Sequence, residues 1–196
     1  MADRFRLIAI TPEQTLPDEA ERIQMLVGAG FDYVHVRKPQ MTEEEVHNYL
    51  QSLPASLLPR LKMHYFPNLA QQFQLGGLHL NSRCPATPDG YQGRLSRSCH
   101  TIAETQCCAG MEYVFLSPIF DSISKVGYSA NFSEADLRKS VDRKIVALGG
   151  VTADRIPWLN DVGFGGCAFL GYLFGVDGDE FRRRIEIILN ERNKLK

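Results

Sequence analysis

Two apolar runs that stop on glycine carry the strongest chemical suggestion in this chain: Lys144-Ile-Val-Ala-Leu-Gly-Gly150 and Gly163-Phe-Gly-Gly-Cys-Ala-Phe-Leu-Gly171. A glycine has no Cβ to keep an anion away from its backbone N–H. The backbone at Gly149, Gly150, Leu170 and Gly171 is therefore a candidate phosphate cradle. Side chains suited to the same ligand lie earlier in the chain: Arg37, His35, His64, Asn81, Ser98 and the cluster Ser122, Ser124 and Lys125. A guanidinium and an ammonium among hydroxyls suit an anionic, phosphorylated small molecule. Carboxylates are scarce around these positions, which argues against hydrolysis by paired carboxylates.

Each candidate has a plainer reading. His35 lies within an apolar run and can equally be a hydrogen-bonded core histidine; His79, between two leucines, reads as structural. His47 falls on an exposed helix and needs no role. Arg37 can be a surface salt-bridge partner, although its place just beyond Val34 and Val36 favours the mouth of a site. Lys125, with serines and Gly127 around it, reads as an anion clamp.

The elements that must position these residues recur regularly. Eight short apolar runs are present: 6–10, 33–37, 61–64, 77–80, 94–98, 113–116, 144–148 and 167–170. Helical spacing separates most of them. Pro17 opens the first such stretch and Gly30 closes it, while Thr42-Glu-Glu-Glu45 resembles a capping box. Further helix starts are read at Ser133, Thr152 and Asp179, and one helix over 100–109. Short strands alternating with helices imply a parallel sheet. Eight units in 196 residues predict a small α/β (β/α)8 TIM barrel, a single domain over 1–196. The rival, an open doubly wound sheet, wants glycines after the first strand, where this chain has Ile10-Thr-Pro-Glu-Gln14. The stretch 81–93 reads as a barrel loop. In a barrel, active sites gather at the C-terminal ends of the strands. There the predicted polar residues are His35, Arg37, His64, Asn81, Ser98, His100, the 117–125 segment and the two glycine turns.

Composition bounds the rest. A formal charge of −1 gives no basic excess for nucleic acid. No apolar run approaches membrane-spanning length, and no signal-like segment opens the chain, so a cytoplasmic location is expected. Five cysteines without a Cys-x-x-Cys argue against a disulfide framework or a structural zinc site, and no metal ligands are predicted. Cys99 and Cys167 read as core fillers.

Taken in order, these segments resemble the thiamine phosphate synthase and thiazole tautomerase superfamily. Val34-His-Val-Arg-Lys-Pro39 stands where the synthases carry a Gln-Leu-Arg-Glu-Lys type motif. Gly77-Leu-His-Leu80, Ser98-Cys-His100 with Glu104, and the segment from Tyr113 to Lys125 are similar to further family motifs. So are Arg6-Leu-Ile-Ala-Ile-Thr11, Ala147-Leu-Gly-Gly-Val151 and Gly163 to Gly171. The resemblance implies a (β/α)8 barrel that joins hydroxymethylpyrimidine diphosphate to thiazole phosphate and releases pyrophosphate. It implies that Arg37, Ser98 and Lys125 hold the pyrophosphate, with Ser122 and Ser124 in place of two threonines. It further implies that Gly149, Gly150 and the Leu170-Gly171 backbone hold the thiazole phosphate. The implied partners are small phosphorylated thiazole and pyrimidine substrates, with no organic cofactor; a homodimer is left open.

The resemblance also implies Mg²⁺, but the usual ligands are missing. His64-Tyr65 replaces an Asn-Asp pair, and Asn81-Ser-Arg-Cys84 offers no carboxylate before Asp89. His35 replaces a glutamine, Pro39 a lysine and Gly171 a serine. The tautomerase branch needs no metal and shares the His-x-Arg second strand, but this chain has Pro118 at its catalytic histidine. Isomerisation, with His35 or His64 as base, and ligand binding without chemistry are the alternatives.

Overall fold

The computed structural model describes residues 4–121 and 132–195. Eight strands form a closed parallel barrel in sequence order: β1 (Arg6–Ile10), β2 (Tyr33–Val36), β3 (Leu61–Met63), β4 (Gly77–Leu80), β5 (Leu95–Cys99), β6 (Tyr113–Leu116), β7 (Ile145–Ala147) and β8 (Gly166–Phe169). Closure is made by β1 on β8, with Arg6 opposite Gly166 and Ala9 opposite Phe169. The expected (β/α)8 architecture is present.

Helices α1 (Glu19–Gly28), α2 (Glu43–Ser52), α3 (Pro67–Gln72), α4 (Ile102–Gln106), α5 (Glu134–Ser140), α6 (Ile156–Val162), α7 (Gly171–Phe174) and α8 (Gly178–Asn193) lie outside the barrel. Between β4 and β5 no helix forms, and the chain runs as the loop anticipated there. The capping box on α2 is complete: Thr42 accepts from the Glu45 N–H, and the Glu45 carboxylate accepts from the Thr42 N–H at 2.7 Å. Ser133 and Asp177 cap α5 and α8. The helix expected from Thr152 begins instead as a tight turn at Ala153–Arg155, with Pro157 in the first turn of α6. The helix expected over 100–109 shortens to α4, capped by Thr101.

Strand alternation divides the buried residues into two sets. Outward-facing Leu7, Ala9, Val34, Val36, Leu78, Leu80, Val114 and Leu116 pack with the helices in one large core. Inward-facing residues fill the barrel. Ile8, Ile10, Phe115, Val146 and Ala168 form an apolar cluster there with Tyr33 and Tyr113. The β2 to β5 side of the interior is polar: His35, Lys62, His79 and Ser96 are fully buried and His64 nearly so. At the N-terminal end this polar column rests on Lys62, whose Nζ is 2.7 Å from Glu112 and lies over the rings of Tyr33 and Tyr113. Burial draws the Lys62 ammonium down to about 8, against the raising effect of Glu112.

Candidate active site

A cavity of about 1010 Å³ opens at the C-terminal ends of the strands. Its wall includes Arg37, His64, Asn81, Ser98, Gly149, Gly150, Leu170 and Gly171, so the barrel brings together eight of the predicted positions. His100 lines it as well. Ser122, Ser124 and Lys125 lie outside the described residues.

The turn after β7 has a backbone that requires glycine. Gly149 and Gly150 adopt φ of +93° and +62°, a region that favours glycine. A Cβ on Gly150 would stand 2.3 Å from the Asp121 carbonyl oxygen, and one on Gly149 2.9 Å from Pro118. Both glycines of this turn therefore pack closely against the segment after β6. Across the cavity, Arg37 pairs with Glu13 at 2.7 Å, and its backbone N–H donates to Thr11 Oγ1 at 3.0 Å. Both readings of Arg37 hold: it is ion-paired and it faces the cavity. The neighbouring Lys38 turns away and forms a fully buried pair with Glu19 at 2.8 Å.

The cationic wall is larger than expected from the sequence. Arg83 and Arg97 line the cavity with Arg37, making three guanidiniums where one was anticipated. Arg97 donates to the Pro85 carbonyl at 2.8 Å, and the Arg83 N–H donates to Asn81 Oδ1 at 2.9 Å. Neither guanidinium is ion-paired to a carboxylate among the contacts described. The signal available in the sequence was an arginine in, or just beside, the long loop after β4. Asn81 acts as a brace rather than a free donor: its amide donates to the His64 carbonyl at 2.8 Å and its oxygen receives two backbone N–H groups.

His35 is not in the wall. Its Nδ1 lies 2.9 Å from His64 Nε2 and its Nε2 2.5 Å from the Tyr113 hydroxyl, directly under the cavity floor. The direct site role expected for it is corrected: as an inward-facing residue of β2 it sits one layer too deep. His79, read as structural, is also fully buried, bonded to Ser96 at 2.9 Å and to Ser98 at 2.8 Å. Desolvation pushes the imidazoles of His35 and His79 well below their usual range and that of His64 down to about 3, so all three are neutral at pH 7.

Among the described residues, His35, His64 and His79 form the one group whose nitrogens, within 4.8 Å of one another, could surround a metal ion. For Mg²⁺ the site is unsuited, because this ion takes oxygen ligands. Among the described residues, Glu104 is the one carboxylate in the wall, and it already accepts from the His100 N–H at 2.7 Å. Three nearby guanidiniums would also repel a divalent cation.

The thiamine monophosphate synthase profile matches residues 7–173. The chain belongs to this family. A crystal structure of thiamine phosphate pyrophosphorylase from Bacteroides thetaiotaomicron superposes with a TM-score of 0.85 at 29% identity, covering 98% of this chain and 99% of that one. The Pyrococcus furiosus thiamine phosphate pyrophosphorylase superposes at 0.79 with 18% identity, over 98% and 97% of the two chains, a likeness of fold. The thiamine-phosphate synthase of Levilactobacillus brevis is 37% identical over 82 residues, a match that spans 39% of this chain and 38% of that protein's length. No helix among the described residues is long and apolar enough to cross a membrane.

Proposed function

We propose that this chain joins a pyrimidine diphosphate to a thiazole phosphate and releases pyrophosphate, with guanidiniums doing the work usually given to a metal. The observation that carries this reading is one cavity whose wall holds both the glycine turns and three arginines, with space for two small ligands. Gly149, Gly150 and the Leu170-Gly171 backbone would hold the thiazole phosphate by N–H donation. Arg37, Arg83 and Arg97 would hold the diphosphate, with Ser98 beside it, and Lys125 would share the role that the family resemblance gives it. As the pyrimidine–oxygen bond breaks, negative charge grows on the leaving pyrophosphate. The Arg83 and Arg97 guanidiniums, which donate to the carbonyls of Pro39 and Pro85, meet that charge with little reorganisation, and Arg37 is held by Glu13. The thiazole nitrogen then attacks the pyrimidine cation. Among the described residues the wall offers Mg²⁺ only Glu104, which is already engaged by the His100 N–H.

The test is the coupling assay, with thiamine phosphate read after oxidation to its fluorescent product, in Mg²⁺ and in EDTA. The expected result is turnover that persists in EDTA and falls about 10²-fold in Arg97→Ala, the loss typical of one transition-state donor. Absence of turnover under both conditions would reject the synthase reading.

A second reading, isomerisation of a thiazole carboxylate phosphate in the same cradle, is favoured by one observation. His64 stands in the cavity wall and is hydrogen-bonded from behind by His35.

A further inference from the structure

The end of β5 meets the end of α4 through sulfur. Cys99 closes the strand, Cys108 follows the helix, and their Sγ atoms are 3.6 Å apart. All five cysteines are free, and among the described residues this is the one cysteine pair in hydrogen-bond contact. The two sulfurs differ in access. Cys99 is 1% exposed, whereas Cys108 is half-buried, and both residues stand in the cavity wall. The Cys108 S–H donates to the Glu104 carbonyl at 3.2 Å, so the hydrogen between the sulfurs is that of Cys99. A thiolate formed on Cys108 is therefore met by a donor. Burial, with the sulfur of Cys108 beside it, pushes the Cys99 thiol up to about 12, so Cys99 keeps its proton until its partner has reacted. No histidine, other cysteine or carboxylate among the described residues joins this pair in a group that could surround a metal ion.

We propose that Cys99 and Cys108 are a redox-active dithiol, which a hydroperoxide admitted through the ligand cavity converts into a disulfide. In the first step the Cys108 sulfur attacks one peroxide oxygen. An S–O bond forms, the O–O bond breaks, and the departing alkoxide takes the Cys108 proton. In the second step the Cys99 sulfur attacks the oxidised Cys108 sulfur. The S–S bond forms, the S–O bond breaks, and hydroxide leaves as water with the Cys99 proton. The two thiols together lose two electrons and two protons, and the peroxide is reduced to an alcohol and water. An S–S bond is about 2.05 Å long, so the sulfurs must close by about 1.5 Å. Cys108 lies outside helix and strand, so that approach falls on irregular backbone.

The bond also changes the cavity. A disulfide sulfur carries no hydrogen, so the Glu104 carbonyl loses its Cys108 donor. The span that the bond tightens holds His100 and Glu104, which are joined at 2.7 Å and both line the wall. Ser98, the serine placed beside the diphosphate, directly precedes Cys99. Oxidation therefore weakens anion binding in the cavity, a consequence that rests on the synthase reading of the site.

The experiment treats the full chain with tert-butyl hydroperoxide and reads intact mass and free thiols by mass spectrometry. Cys99→Ala, Cys107→Ser and Cys108→Ser are treated in parallel; Cys108→Ser, at the half-buried position, carries the test should Cys99→Ala not fold. The dithiol predicts a chain lighter by two hydrogens, reversed by dithiothreitol. The unaltered chain and Cys107→Ser should form it, and the other two variants should not. An unchanged mass, oxygen added without loss of hydrogens, a bond that Cys107→Ser removes, or a cross-link between two chains would each overturn the proposal. Calorimetry with inorganic pyrophosphate then compares the reduced and oxidised forms. Oxidation should lower the affinity about 5-fold or more, in the range usual for coupled sites, and reduction should restore it. Equal affinities would overturn the coupling to the cavity. A reduced chain that binds no pyrophosphate would instead reject the diphosphate reading, with the dithiol still judged by its mass.

Discussion

At the scale of single residues, the site depends on where the backbone can go. Gly150 combines a positive φ with a neighbour that leaves no room for a methyl group. Gly150→Ala is expected to lower stability by about 2 kcal/mol through strain and forced movement of the 120–121 backbone. The same shift spoils the N–H geometry of the cradle, so thiazole phosphate affinity measured by calorimetry should drop at least ~10-fold. Retained affinity would remove this turn from the phosphate site. Adjacent residues also show how local direction decides role. Arg37 reaches the cavity, whereas Lys38 is buried against Glu19, whose other oxygen accepts from the Tyr49 hydroxyl at 2.6 Å. The two basic residues are neighbours in sequence, but only one is available to a ligand.

At the scale of elements, the work is divided between barrel and shell. The strands carry His35, His64, His79 and Ser98 on their inward faces, the helices cover the apolar outward faces, and Arg97 joins the cavity wall from the outer face of β5. Helix α2 shows the second role: Val46 and Leu50 are buried, its first turn is acidic and its cap is local. Thr42→Ala removes the cap oxygen and should cost about 1 kcal/mol in chemical denaturation. Thiazole phosphate affinity should stay unchanged, because α2 contributes nothing to the cavity wall. A parallel loss of affinity would mean that the shell tunes the site. The loop after β4 has the opposite character. It has no helix to pack, and it supplies Asn81, Arg83 and Pro85 to the cavity.

At the scale of the whole molecule, the polar interior ties stability to pH. The imidazoles of His35, His64 and His79 lie below their unfolded value of 6.5, with His64 at about 3. Between those values the unfolded chain binds more protons than the folded one, so stability rises with pH across that window. Acidification from pH 6.5 toward 3 should therefore unfold the protein, with a slope that approaches ~4 kcal/mol per pH unit when all three histidines contribute. Denaturation midpoints followed between pH 7 and 4 give that slope, and His79→Asn should reduce it by about one third. A flat profile would mean that the histidines charge in place. Lys62, at about 8, acts at the other end of the scale. Its burial penalty is present below pH 8 and relieved as pH rises toward 10.5, so alkaline conditions favour the fold through this group.

The strand count, the order of strands and helices, the α2 cap and the glycine turns were all legible in the sequence, because each follows from local pattern. Period-2 alternation marks strands, capping residues mark helix starts, and a glycine ending an apolar run marks a close approach. Those rules also placed Arg37, His64, Asn81 and Ser98 at the strand ends. Only the tertiary structure decided which alternate face is the barrel interior. Closure of the sheet brings His35 to His64 across 29 positions and to Tyr113 across 78. It likewise turned Arg83 and Arg97 into cavity walls and placed His35 one layer beneath the ligand. Such meetings depend on shear and register summed over eight strands, and no local spacing contains them.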